Sequence, residues 1–214
     1  MSNKLTIKKE DAWHEPSALW CNVNDSWKEA DYAYCKINGN WVEIYSKTTQ
    51  NYFYNAGSTP YGGWTAVAAL PSHYKYLSDK AAPTLTVNDT TVYARSLAGT
   101  YSYNRGGSIY LPKTTITGNT LYIDVTNAFS YKNNYAAGAY LGFGLASSVS
   151  GNFTTAAYSD IGEEDDISVR SGIYSIDISS ISGGSYCPFV SLTTSSSGSG
   201  TKQSYLTINA FWCE

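Results

Sequence analysis

From residue 83 onward, apolar side chains recur at every second position, in short segments separated by clusters of Gly, Ser, Asn and Thr. Leu121, Ile123 and Val125 alternate with Tyr122 and Asp124, and Leu141, Phe143 and Leu145 alternate with Gly142 and Gly144. Tyr174, Ile176 and Ile178 alternate with Ser175 and Asp177. The last such segment sets Leu206, Ile208, Ala210 and Trp212 against Tyr205, Thr207, Asn209 and Phe211. A period of two places each set on one face of a pleated strand, and no 3.6-residue period persists. The chain therefore reads as all-β. About ten strands with one apolar face are best satisfied by two antiparallel sheets packed face to face. The expected architecture over residues 83–214 is a β-sandwich, with a jelly roll as first choice and an immunoglobulin-like Greek key as second. Ser195 to Ser199 reads as a hairpin loop between the last two strands.

The front of the chain carries an internal repeat. Leu19 to Ala30 and Ala33 to Ile44, offset by 14, pair Trp20 with Tyr34, Cys21 with Cys35, Val23 with Ile37, Trp27 with Trp41 and Glu29 with Glu43. Each copy is a strand, a short turn and a second strand that opens with Trp. Asn38-Gly39 suits the left-handed backbone of a two-residue hairpin turn, and Asn24-Asp25-Ser26 does the same work less well. The expectation is a small antiparallel meander over residues 1–45, with Cys21, Val23, Trp27, Cys35, Ile37 and Trp41 as candidates for its buried side; the alternative for the tryptophans is an exposed stacking platform. So small a unit buries little by itself and should lean on a neighbour or another chain. Residues 46–82, where turn formers and aromatics mix without a period, read as a connector packed partly on the following domain.

Composition narrows the function. Only 14% of the 214 residues are charged, the formal net charge is -3, and there are two histidines. Without Lys/Arg clusters, nucleic acid and anionic membranes are poor partners. No apolar run approaches a membrane span, and the N-terminus lacks the apolar core of a signal peptide, so synthesis in a cytoplasm is expected. Cys21, Cys35, Cys187 and Cys213 lack CxxC spacing and are read as reduced thiols packed as small hydrophobes.

Three constellations carry potential chemistry. Asp160, Glu163, Glu164, Asp165 and Asp166 crowd one loop; they read either as a solvated loop or as oxygen ligands for calcium, without EF-hand spacing. No other cofactor is implied. Asp124 and Asp177, at equivalent places in two similar strands, are the pair that a glycan-cleaving enzyme would need. No GxSxG elbow supports a serine nucleophile. Tyr61 and Trp64 in the connector, Tyr101 and Tyr103 before Asn104-Arg105-Gly106-Gly107, and Tyr131 and Tyr135 around Asn133-Asn134 combine rings with Asn and Gly. Such loops make rigid amphipathic contact surfaces, and a ring also stacks on the apolar face of a sugar. The competing reading is that these tyrosines fill half-exposed strand positions.

The hairpin repeat with its Asn-Gly-Asn-Trp turn at Asn38 to Trp41 resembles the short Trp-bearing strand repeats of phage tail and other virion proteins. The string Gly172 to Ser179, with the strands that follow it, is similar to their C-terminal β-sandwiches. The resemblance covers roughly residues 19–44 and 172–212, and Cys21 and Cys35 stand where such repeats carry plain apolar residues. It implies a non-enzymatic virion component: a host-attachment protein recognising a surface glycan or docking on neighbouring subunits, or a purely structural tail, baseplate or capsid-decoration part. The partners implied are other virion subunits, further copies of the chain and a cell-surface glycan.

Overall fold

The computed structural model describes residues 7–9, 12–14, 19–30, 32–37, 39–46, 50–56, 63–74, 79–87, 91–97, 105–130, 140–161, 169–197 and 200–214. The chain forms two compact units, Met1–Thr49 and Gln50–Glu214. Among the described residues there is no α-helix, only two 3-10 turns.

The first unit consists of two-stranded hairpins. Ile7–Lys9 pairs with Ala12–His14, Trp20–Val23 with Ser26–Glu29, and Tyr32–Ile37 with Asn40–Ser46. The expected four-stranded meander is not formed: among the described residues each hairpin is a separate sheet. The Trp20–Glu29 hairpin turns at Asn24 and Asp25, with φ of 53° and 60°. Both lie in the left-handed region that a type I′ turn requires, so the turn has two residues, Asn24 and Asp25. This turn sets Val23 opposite Ser26 and Asn22 opposite Trp27. Trp27 therefore shares a face with Trp20 rather than with Cys21 and Val23.

The second unit is a sandwich whose core follows from the alternation. Eight of its strands are labelled here β1 (Val92–Arg95), β2 (Arg105–Tyr110), β3 (Thr120–Phe129), β4 (Leu141–Ala146), β5 (Thr155–Asp160), β6 (Arg170–Asp177), β7 (Ser185–Ser197) and β8 (Tyr205–Cys213). One sheet orders them β1-β8-β3-β6 and the other β2-β7-β4-β5. First pairs with last, second with seventh, third with sixth and fourth with fifth, all antiparallel. That is one long hairpin rolled into two sheets, the jelly roll. Thr84–Val87 extends the first sheet beside β1, and Asn51–Asn55 pairs with the last residues of β8. Leu121, Ile123, Val125, Phe143, Val190, Leu192, Leu206, Ile208 and Phe211 meet between the sheets with no exposed surface.

Two local features depart from simple alternation. In β8 the pairing jumps between Asp124–Ala210 and Val125–Ile208, leaving Asn209 as the extra residue of a bulge. Beyond it Phe211 and Cys213, not Ala210 and Trp212, face the core. The displaced Trp212 ring stacks on Tyr122 with centroids 5.1 Å apart and leans on Tyr52 at 5.8 Å. The glycines of β4 are also buried, because the second sheet is covered on its outer face as well. Its cover is the segment read as a connector: Thr65–Val67 pairs with β2, Leu70–Pro71 runs beside Asn152–Phe153, and Ser72–Tyr74 forms a 3-10 turn. A Cβ on Gly106 would meet the Leu70 side chain at 3.0 Å, and one on Gly142 would enter the Tyr158 ring. Ser108 Oγ donates to the carbonyl of Ala69 at 2.8 Å. Small side chains on the outer face let the cover segment lie against the sheet.

Candidate functional site

Strand register gathers the described flanks of three predicted loops at one end of the sandwich. Arg95 of β1 and Phe129 of β3 both pair with Tyr205, and Arg170 of β6 pairs with Ala128. In the other sheet Arg105 pairs with Thr194, Leu141 with Leu192 and Asp160 with Gly142. These are the residues from which the chain leaves for, or returns from, segments 98–104, 131–139 and 162–168. Hydrogen bonds tie the two sheets together there. Thr194 Oγ1 donates to Ser96 Oγ at 2.9 Å, Ser204 N donates to Ser96 Oγ at 3.0 Å, and Ser204 Oγ donates to the Tyr140 carbonyl at 2.9 Å. Satisfied buried hydroxyls of this kind fix geometry where apolar contact would leave it loose. The chain enters the sandwich at the opposite end, where Asn51 pairs with Cys213.

Two further clusters of described polar groups stand at the loop end. Arg105 Nε and Nη2 both hold the single oxygen Asp79 Oδ2, at 2.6 and 2.5 Å, in a half-exposed ion pair. Asp160 Oδ1 accepts the Tyr158 hydroxyl at 2.7 Å and the Tyr74 hydroxyl at 3.1 Å, and the two hydroxyls also touch each other. Burial, and then the nearby Asp160 charge, raise the Tyr74 phenol well above its ordinary pKa. Tyr140 packs on Tyr74 with centroids 5.1 Å apart.

Of the expected site residues, Trp64 and Asp160 fall within the described structure. Trp64 is a correction: it is only 9% exposed, stacks on Phe211 and meets Tyr54 edge-on, so it is a core residue rather than a ligand platform. Asp160 has one carboxylate oxygen committed to two phenols. Tyr61, Tyr101, Tyr103, Tyr131 and Tyr135, like Glu163, Glu164, Asp165 and Asp166, lie outside the described residues. Among the described residues no group of three His, Cys, Asp or Glu comes together. Asp124 pairs with Ile173 and Asp177 with Thr120. They stand four strand positions apart, ~13 Å, too far for the paired carboxylates of a glycosidase. Asp177 is held below the usual carboxylate range by hydrogen bonds from Ser179, whose amide donates at 2.9 Å.

A second surface lies on the first unit. The matched rings of the hairpins are exposed: Trp20 by 57%, Trp27 by 69%, Tyr32 by 58% and Tyr34 by 53%, with Tyr32 and Tyr34 stacked at 6.4 Å. Cross-strand register puts Trp20, Asn22, Trp27 and Glu29 on one face of the first hairpin. Tyr34, Lys36, Trp41 and Glu43 hold the matching positions of the second. The expected buried side is thereby corrected: Cys21, Val23, Trp27 and Ile37 are exposed and Cys35 is half-buried, while the Trp41 side chain lies outside the described residues; a two-stranded sheet has nothing of its own to cover its apolar face. The thiols divide the same way. Cys21 is exposed and Cys35 half-buried, whereas Cys187 and Cys213 are buried and pushed upward in pKa by burial. No two of the four are bonded to each other.

No family model and no curated protein sequence matches the chain. Among solved structures it is similar to the K1 cleaved adhesin domain of Lys-gingipain from Porphyromonas gingivalis W83. The TM-score is 0.36 at 16% identity, over 77% of this chain and 95% of that one. A likeness that slight carries no inference.

Proposed function

We propose that the chain is a non-enzymatic virion protein that serves in host attachment, with the loop end of the sandwich as its contact surface for a surface glycan or a neighbouring subunit. The observation that carries this reading is the register of the jelly roll. It brings the flanks of three segments, containing Tyr101 and Tyr103, Tyr131 and Tyr135, and the run Glu163 to Asp166, to one end, opposite the point where the chain enters. A rigid scaffold that presents several loops together is a common way to build a recognition surface. Many copies on a particle would make individually weak contacts effective through avidity.

The test is binding of the purified full chain to a glycan array, repeated with Tyr103→Ala and Tyr131→Ala. Binding that disappears on substitution supports attachment through this end. A silent array from a folded, assembled protein favours the purely structural alternative, and cleavage of an arrayed glycan restores the enzyme reading.

A further inference from the structure

We infer that the ring face of the N-terminal hairpins is an interface between copies of this chain, with the first hairpin of one copy seated on the second hairpin of another. This holds whether or not the loop end binds a glycan. Isolated two-stranded hairpins are marginal in water and gain stability when something covers their apolar face. At ~200 Å² per ring, the exposed parts of Trp20, Trp27, Tyr32 and Tyr34 supply roughly 500 Å². That is more than half of the ~800 Å² each partner contributes to a stable complex, before the backbone edges are counted.

Charge and symmetry identify the occupant. Residues 1–49 carry six lysines against seven Asp and Glu, a balance that attracts neither a polyanion nor a polycation. The surface already occurs twice in one chain in the same register, so a second copy presents two matching faces. The two hairpins differ at one telling position. Where the first has Asn22, the second has Lys36, the one cation among the face residues, while both faces carry a Glu at matching positions, Glu29 on the first and Glu43 on the second. Seating the first hairpin on the second of a two-fold-related copy brings Glu29 toward Lys36 twice, as a self-complementary interface requires.

The experiment measures mass by light scattering and native mass spectrometry on the full chain, across concentration. The wild-type chain should be oligomeric, with tryptophan emission shifting to the blue on assembly. Trp20→Ser with Trp27→Ser should leave a monomer whose sandwich keeps its near-ultraviolet circular dichroism. Lys36→Glu should weaken assembly by about tenfold or more, and adding Glu29→Lys should restore it. Tyr52→Ser, outside this face, should leave the mass unchanged. A monomeric wild type at high concentration overturns the inference, as does an oligomer that survives the double tryptophan substitution. Loss with Lys36→Glu that Glu29→Lys does not repair overturns the pairing of first hairpin with second.

Discussion

The two units are written in the same local code and reach opposite ends. Both alternate apolar and polar residues along short strands joined by tight turns. In the sandwich, Leu121, Ile123, Phe143 and Ile208 vanish between two sheets, whereas Trp20, Trp27, Tyr32 and Tyr34 on the hairpins keep more than half their surface in water. Alternation tells which residues share a face. Whether that face is covered depends on a second layer, and a layer is a property of topology or of another chain.

The sharpest way to break this contrast is to remove one ring from each unit. Phe143→Ala at the centre of the sandwich should cost about 3–5 kcal/mol in urea unfolding followed by circular dichroism. Trp27→Ala in dilute protein should move the same transition by less than ~0.5 kcal/mol, as for an exposed side chain. Equal losses would mean that the hairpin ring is buried in the unassembled chain. Next in size is Gly142→Ala. Its methyl group meets the Tyr158 ring beneath the cover segment, and overpacking should cost about 1–3 kcal/mol while speeding proteolysis within residues 64–74.

Tyr74 tests the same cover by pH. Its phenol is raised in the fold, so the stability of its protonated form is fully present below the unfolded value near 10. That stability is lost as pH climbs from there through the higher folded value. Tyr74→Phe should flatten this alkaline decline and cost about 1 kcal/mol at neutral pH through the lost hydrogen bond to Asp160. The smallest effect belongs to the hairpin turn. Asp25→Gly relieves a left-handed residue and should slow amide exchange at Val23 and Ser26, a gain of at most about 1 kcal/mol.

The inward faces of β3 and β4, and the inward side of β6, were legible in the sequence because each strand is short and evenly patterned. The last strand was legible only as far as Ile208. A bulge at Asn209 exchanges the roles of Phe211 and Trp212, and nothing in a period of two announces an inserted residue. The outer face of β4 was also misjudged: glycines read as solvent-facing are pressed under Tyr158 and the backbone of Ala157. The signal was present in the aperiodic, ring-rich stretch from Trp64 to Tyr74, which was assigned to a connector rather than to a third layer. At the candidate site, the loops were found by composition, but the convergence of their flanking residues is a matter of register between distant strands. Trp64 shows the limit of composition: a ring among Gly and Pro looked available for binding, yet it lies against Phe211. The hairpin rings erred the other way, since their repeat was plain while their lack of cover was not.

The rolled-hairpin order has a consequence for how the protein is made. The strand made last, β8, does not sit at an edge. It lies between β1 and β3 and closes the first sheet from within. Until Tyr205 to Cys213 have left the ribosome, the strands on either side hold no shared ladder. Pairings this distant along the chain make for slow folding and an aggregation-exposed interval. Nascent chains stalled a few residues short of β8 should therefore be captured by chaperones, while release of the same stretch should let the whole sandwich form in one cooperative step.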